Sequence, residues 1–268
     1  MTFLDNINIG QYVPTDSVIH RLDPRTKLIV TLSIMILTVA TTDLMIYLWI
    51  ASFLVFLAAI SRIPLPYFFR NLKSFFWLFL LTFLLHIFFF PRDSVKYLDL
   101  GIIKINQSGL LNGLVYSIRL AIFIFSAALL SLTTQAVELT DGVFKSFSPL
   151  KKIKFPVEEL SLITMISLRF IPLLLEEAIT LRKAQISRGA TFGGGLIKRT
   201  RKSLPLLVPL FISSFRRADE LALALDARGF RSGQERTSFR VLAFQSADYA
   251  FLFLLLLMLG VSFWLKTI

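Results

Sequence analysis

Two arginines in this sequence sit in matched settings. Ser187-Arg188-Gly189 is followed forty residues later by Ala227-Arg228-Gly229. The match continues upstream, with Ala178 against Ala218, Leu181 against Leu221 and Ala184 against Ala224. Apolar residues three or four apart are the signature of one helix face, and a glycine just past the last helical turn supplies a left-handed stop. The pattern predicts two similar helices, each presenting one arginine at its C-terminal end. A guanidinium is a planar fork that makes several directed hydrogen bonds to carboxylates or backbone carbonyls and keeps its charge throughout. Its chemistry here is recognition: two like plugs for two like sockets. The competing reading of a single such arginine is local, a cation capping its own helix end; two in the same context weaken it.

Catalytic chemistry finds little to work with. Gly193-Gly194-Gly195 precedes Lys198 and Arg199, but no Gly-Lys-Ser/Thr follows, so there is no phosphate-binding loop. The acidic pairs Glu176-Glu177 and Asp219-Glu220 point different ways on a helix and read as solvated faces or partners of Arg182, Arg216 and Arg217. With no cysteine, and with His20 and His86 far apart, no metal-ligand spacing is present. The expected inventory is therefore no catalytic residue, no metal and no cofactor on this chain. A rival reading is a polytopic membrane enzyme acting on lipid, its basic region holding headgroups. That reading needs clustered acids or histidines at the inner interface; Asp23 and Glu138 are the only candidates, and His20 is isolated.

The elements that must position the arginines are set by composition. The chain has 268 residues, 55% hydrophobic, with 27 Phe and a mean hydropathy of +0.71, which predicts a polytopic membrane protein. Of its 29 Lys and Arg, 18 fall between Gln135 and Leu242. Such a concentration marks a cytoplasmic segment; nothing beyond charge points to nucleic acid. No cleavable signal is expected at the N-terminus, which is polar through Arg25.

Apolar runs at Leu28–Ala40, Leu44–Ile60, Ser74–Phe90, Asn112–Thr134 and Ala250–Leu265 give five expected spans, the first two short of the ~20 residues a crossing needs. Alternation around Leu100-Gly101 predicts a short β-hairpin between Tyr97 and Ile105. Arg119 lies inside a span; snorkelling to the outer interface is the default reading, an interhelical contact the alternative. The intervening basic region predicts helices over Val137–Ser146, Val157–Ser187 and Leu196–Ala227. Pro172 should kink the second, and Gly193-Gly194-Gly195 should joint the second to the third. The resulting fold class is all-α: a membrane helix bundle with long amphipathic cytoplasmic helices. The expected division is 1–134 transmembrane, 135–245 cytoplasmic and 246–268 a final transmembrane helix. The N-terminus and long basic region are expected inside, residues 91–111 and the C-terminus outside.

Ile9-Gly10-Gln11-Tyr12-Val13-Pro14 followed by His20-Arg21-Leu22-Asp23-Pro24-Arg25-Thr26-Lys27-Leu28 resembles the N-terminal signature of the transmembrane coupling components (T components) of energy-coupling factor transporters. Ser167-Leu168-Arg169-Phe170-Ile171-Pro172 and the paired arginine tripeptides resemble the same family, over essentially the whole chain. The N-terminal form is closer to components shared among several substrate-binding proteins than to dedicated cobalt or biotin versions. The resemblance implies a non-catalytic scaffold of a vitamin- or metal-uptake importer in a bacterial plasma membrane. It implies as partners two ABC-type ATPase subunits, which carry the ATP and Mg, a membrane-embedded substrate-binding (S) component, and the lipid bilayer. It places the docking role on Ser187, Arg188, Gly189, Ala227, Arg228 and Gly229.

Overall fold

A computed structural model describes residues 12–89, 96–99, 104–193, 195–231 and 243–267. Its elements are α1 (Val18–Arg21), α2 (Pro24–Ala40), α3 (Leu44–Ser61), α4 (Leu65–Ser74), α5 (Phe76–Phe89), β1 (Lys96–Asp99), β2 (Lys104–Asn106), α6 (Gln107–Thr133), α7 (Ala136–Ser146), a 3₁₀ helix (Ser148–Ile153), α8 (Val157–Ser187), α9 (Leu196–Ala227) and α10 (Ser246–Thr267). The fold is all-α apart from the expected hairpin, in which β1 and β2 pair antiparallel with Asp99 opposite Lys104. The described residues form two compact units. One takes residues 12–143 and 243–267, the other 144–231.

The first unit is a bundle of α2, α3, α6 and α10 around Ile34, Ile46, Ile50, Leu54, Leu132 and Met258. Among the described residues α3, α6 and α10 are long and apolar enough to cross a membrane. The α4–α5 pair, bent by 50°, meets the same condition when its two helices are taken together. At 17 residues, α2 lies at the short end of what a crossing needs. The bend has a local cause: the Ser74 hydroxyl bonds back to the Arg70 carbonyl, and the Phe75 amide takes the Leu72 carbonyl three residues back. Close packing of α5 on α6 depends on Gly109 and Gly113. A Cβ at Gly109 would lie 3.2 Å from the His86 carbonyl oxygen, and one at Gly113 3.1 Å from that of Phe83. Small residues four apart are how helices approach closely in lipid.

The N-terminal signature is a structural latch. Pro24 occupies the first turn of α2, where its missing N–H costs no hydrogen bond. Asp23 caps that turn by accepting from the Arg25 amide at 2.9 Å. The amide of Asp23 in turn donates to Asp248, at the start of α10, at 2.9 Å. Asp248 is 0% exposed and also accepts from the Gln245 amide at 2.8 Å. Lys27 is buried, its ammonium donating to the carbonyls of His20 and Thr133 at 3.1 and 3.0 Å, which ties α1 to the end of α6. Gly142 of α7 lies against Pro24 so closely that an added Cβ would come within 2.7 Å of the proline ring. His20 is held by Ser17 at 2.6 Å on Nδ1 and by the Val13 carbonyl at 3.1 Å on Nε2. A neutral ring with its proton on Nε2 satisfies both.

Arg119 departs from the snorkelling expectation and takes the interhelical one. Its guanidinium donates to the Thr41 carbonyl at 2.8 Å and to the Tyr47 hydroxyl at 2.9 and 3.0 Å, and it lies 4.9 Å from the Tyr116 ring centroid. The physical reason is proximity to acceptors within the bundle, of which the Thr41 carbonyl also accepts from the Tyr47 hydroxyl at 2.5 Å. The α2–α3 turn exposes the Thr41 carbonyl at the level of Arg119, and the protein supplies what the hydrocarbon cannot.

Two outcomes follow. Tyr47→Phe removes one partner of a membrane cation and should lower thermal stability in detergent by about 1–2 kcal/mol. The double variant Tyr47→Phe/Arg119→Met should lose less than the sum of the two single changes, because no orphaned cation remains; additive losses would count against the clamp. His20 gives a pH outcome. Burial, and then the neighbouring Lys27 charge, hold its ring below the ordinary histidine value of 6.5. A lowered folded-state pKa means that the unfolded chain takes up the proton first as pH falls. The contribution is therefore complete above pH 6.5 and is lost as pH drops through the folded value. Melting temperature should fall between pH 7.5 and 5.5, roughly one unit either side of that reference value. His20→Gln should flatten the response, and an unchanged slope would remove His20 as its source.

Candidate docking site

The second unit carries the two arginines, and its helix ends are built alike. Helix α8 runs Val157–Ser187 and α9 runs Leu196–Ala227, the bounds predicted from their patterning. Arg188 and Arg228 are the C-cap residues, with φ, ψ of −87°, 11° and −89°, 6°. Gly189 and Gly229 follow with φ of +89° and +72°, the left-handed region that glycine enters without steric cost.

Both ends close as Schellman motifs. At the first, the Gly189 amide bonds the Ile186 carbonyl and the Ala190 amide bonds that of Gln185, each at 2.9 Å. At the second, the Gly229 amide bonds Asp226 at 2.9 Å and the Phe230 amide bonds Leu225 at 3.0 Å. The cap amides reach back as well, Arg188 to Ala184 at 3.2 Å and Arg228 to Leu225 at 3.1 Å. Backbone amides thus take the last-turn carbonyls that a capping arginine would otherwise serve. Both arginines are exposed, and among the described residues neither guanidinium makes a hydrogen bond or ion pair. Local capping does not account for them.

The repeat also organises the contact between the two helices. Arg217 of α9 donates to Glu177 of α8 at 3.1 Å. These two positions are equivalent under the forty-residue offset, each lying eleven residues before its arginine. Contact between equivalent positions leaves the same length of helix, about 16 Å, between that contact and Arg188 or Arg228. The Ser213 hydroxyl, and then Arg217, hold the Glu177 carboxyl below the usual glutamate range. Sequence reasoning names Glu177 and Arg217 as salt-bridge residues without pairing them. The forty-residue offset that aligns the tripeptides also aligns these two, and that is the signal it missed.

The remaining predicted residues are distributed as follows. Helix α8 continues through Pro172 as a single helix, and α9 through Pro205 and Pro209. Of the proposed joint, Gly194 lies outside the described residues. Gly193 and Gly195 have no atom within 4 Å of where a Cβ would stand. Lys202 donates to Thr191 at 2.9 Å and to the Gly193 carbonyl at 3.4 Å, and Arg182 lies 5.5 Å from the Phe192 ring centroid, so the connection is tethered to both helices. Glu176, Asp219 and Glu220 are exposed. Helix α9 also presents Leu204, Val208, Phe211 and Phe215 as an exposed apolar stripe at helical spacing, on the side away from buried Ser213. Of the residues named for a lipid enzyme, Glu138 lies near enough to His20 for its charge to act on the ring. Asp23 is a buried cap, and no metal-holding group of His, Asp and Glu occurs among the described residues.

Comparison with known proteins adds the family. The model of the cobalt transport protein family, CbiQ, matches residues 15–239. The chain is similar to the energy-coupling factor transporter transmembrane protein EcfT of Bacillus subtilis strain 168, with 39% identity over 264 residues covering 98% of this chain and 99% of that protein. It is 39% identical over 265 residues to the protein of the same description from Listeria innocua, covering 98% of this chain and 100% of the relative. A third, from Thermosediminibacter oceani, is 42% identical over 245 residues, 91% of this chain and 92% of the relative.

Proposed function

Because the chain belongs to the CbiQ family, among the transmembrane components of energy-coupling factor transporters, we propose that its two arginine-tipped helices dock one ABC-type ATPase subunit each. The observation that carries this reading is the pair of helix ends closed by the same Schellman motif, with exposed guanidinium groups that have no partner among the described residues. Each tripeptide, Ser187-Arg188-Gly189 and Ala227-Arg228-Gly229, inserts into a groove on its ATPase. The glycine keeps the tip narrow and the arginine supplies directed hydrogen bonds. ATP and Mg belong to those partners, and this chain is the non-catalytic scaffold.

Closure of the two ATPases moves the tips, and α8 and α9, each about 45 Å long, carry the motion to a membrane-embedded S component. The exposed stripe on α9 and the Phe-rich spans form the surface against which that component slides. Its cargo is a vitamin or a metal ion, selected by the S component. Their positive charge supports a position for the long helices on the cytoplasmic side, at a bacterial plasma membrane. Bending occurs at Gly193-Gly194-Gly195 and at Pro172, where one backbone hydrogen bond of α8 is missing.

In the complex each arginine becomes desolvated and paired, so its removal should cost about 2–5 kcal/mol of association. The variant Arg188→Ala/Arg228→Ala should insert normally and lose ATPase copurification or uptake. Unchanged complex yield with unchanged uptake would rule out the docking. The joint has its own test. Alanine fits at both Gly193 and Gly195, so Gly193→Ala/Gly195→Ala stiffens the connection without a clash. Assembly should survive while substrate moved per ATP falls; wild-type transport would mean that the helix pair turns as a rigid body.

A further inference from the structure

The segment between α7 and α8 has a chemistry of its own. In a 3₁₀ helix residues three apart stack along one edge. Phe147, at the N-cap of the 3₁₀ helix, then Leu150 and Ile153 follow that spacing, and all three are exposed, Ile153 at 80%. Phe155, just beyond, is exposed as well. The turn is defined by backbone bonds from Leu150 to Phe147 and from Lys154 to Lys151, both 2.9 Å, and Lys154 closes it in the left-handed region at φ +61°.

Residues 144–156 hold four lysines and no acid. Lys151 pairs with Glu158 of α8. Lys145, Lys152 and Lys154 are exposed and make no ion pair among the described residues. An apolar edge of aromatic and branched residues gains nothing in water, and three uncompensated ammoniums oppose burial in an apolar protein groove. A bilayer interface with anionic headgroups meets both demands. The edge enters the boundary between headgroups and acyl chains, and the lysines reach the phosphates on flexible stems.

We propose that the 3₁₀ helix is a peripheral membrane anchor, seating the Phe147–Leu150–Ile153 edge in a bilayer surface that carries anionic lipid and fixing the base of α8 there. The anchor is separate from the ATPase tips and does not depend on how they dock. It requires only a membrane protein, and it gives α8 a fulcrum at the end opposite Arg188.

The chain has no cysteine, so single-site labelling has no background. The full chain carrying Ile153→Cys, labelled with the fluorophore NBD, is reconstituted in phosphatidylcholine vesicles with and without phosphatidylglycerol. With phosphatidylglycerol, the emission should be quenched by doxyl-labelled lipid and protected from aqueous iodide. Each of Lys145→Gln, Lys152→Gln and Lys154→Gln should lower the inserted-to-exposed ratio about fivefold, as high salt should in part. Equal iodide access in both vesicle types would overturn the proposal. So would protection from both quenchers, which would place the edge against protein. Leu150→Cys should report the same depth pattern, and Thr180→Cys, at an exposed position of α8, should stay open to iodide, which shows that protection is confined to the edge.

Discussion

A polar group inside an apolar bundle must find its partner within the protein, because lipid offers none. That constraint shapes the first unit of this chain more than any apolar contact does. Lys27, Asp248 and Arg119 are costly residues of the bundle, and each is spent on a specific tie: Lys27 from α2 to the end of α6, Asp248 from α10 to the start of α2, Arg119 from α6 to the α2–α3 turn. The hydrophobic core of Ile34, Ile50, Leu132 and Met258 drives association but would tolerate slips along helix axes. Hydrogen bonds with fixed acceptors do not tolerate them. The same rule throws Arg188 and Arg228 into relief. Within one chain, an arginine in the bundle is surrounded by acceptors, whereas two arginines at exposed helix ends have none among the described residues, although carbonyls stand in the same turn. Backbone amides fill those carbonyls first, so the guanidiniums remain available.

Periodicity and punctuation made the long helices legible. Pro156 and Gly195 stand just before α8 and α9, and Gly189 and Gly229 stand just past their caps, so local backbone chemistry sets both boundaries and they could be read without tertiary information. The latch could not. Asp23 and Asp248 are 225 residues apart, and neither has a local pattern pointing at the other. Arg119 was visible as an anomaly but not as a solution, since its acceptors include a main-chain carbonyl, which has no sequence signature. Gly109 and Gly113 sit at the head of a long apolar helix, where glycine reads as a weakness until the backbone of α5 is found against it.

These ties also give a physical content to the N-terminal signature. His20, Asp23, Pro24 and Lys27 look like a binding motif in the sequence, with a histidine, an acid and a lysine within eight residues. In the fold each is consumed: His20 by Ser17 and Val13, Asp23 by its own helix, Pro24 by Gly142, Lys27 by two carbonyls. A family resemblance carried by such residues speaks for shared architecture, and the candidate function has to rest elsewhere, on residues left unconsumed.

The symmetry of α8 and α9 supplies that other ground. Two helices with a common sequence pattern could cross anywhere. Here the Glu177–Arg217 bond joins positions equivalent under the same offset that relates Arg188 to Arg228. An ion pair between partly exposed residues adds little stability; what this one fixes is register. With contact at matched positions the two helices run on for equal lengths to Arg188 and Arg228, so the two tips stand at equal distances from the contact and in equivalent local settings. A slip of one helix along the other would break that equality, and the bond between Glu177 and Arg217 opposes it.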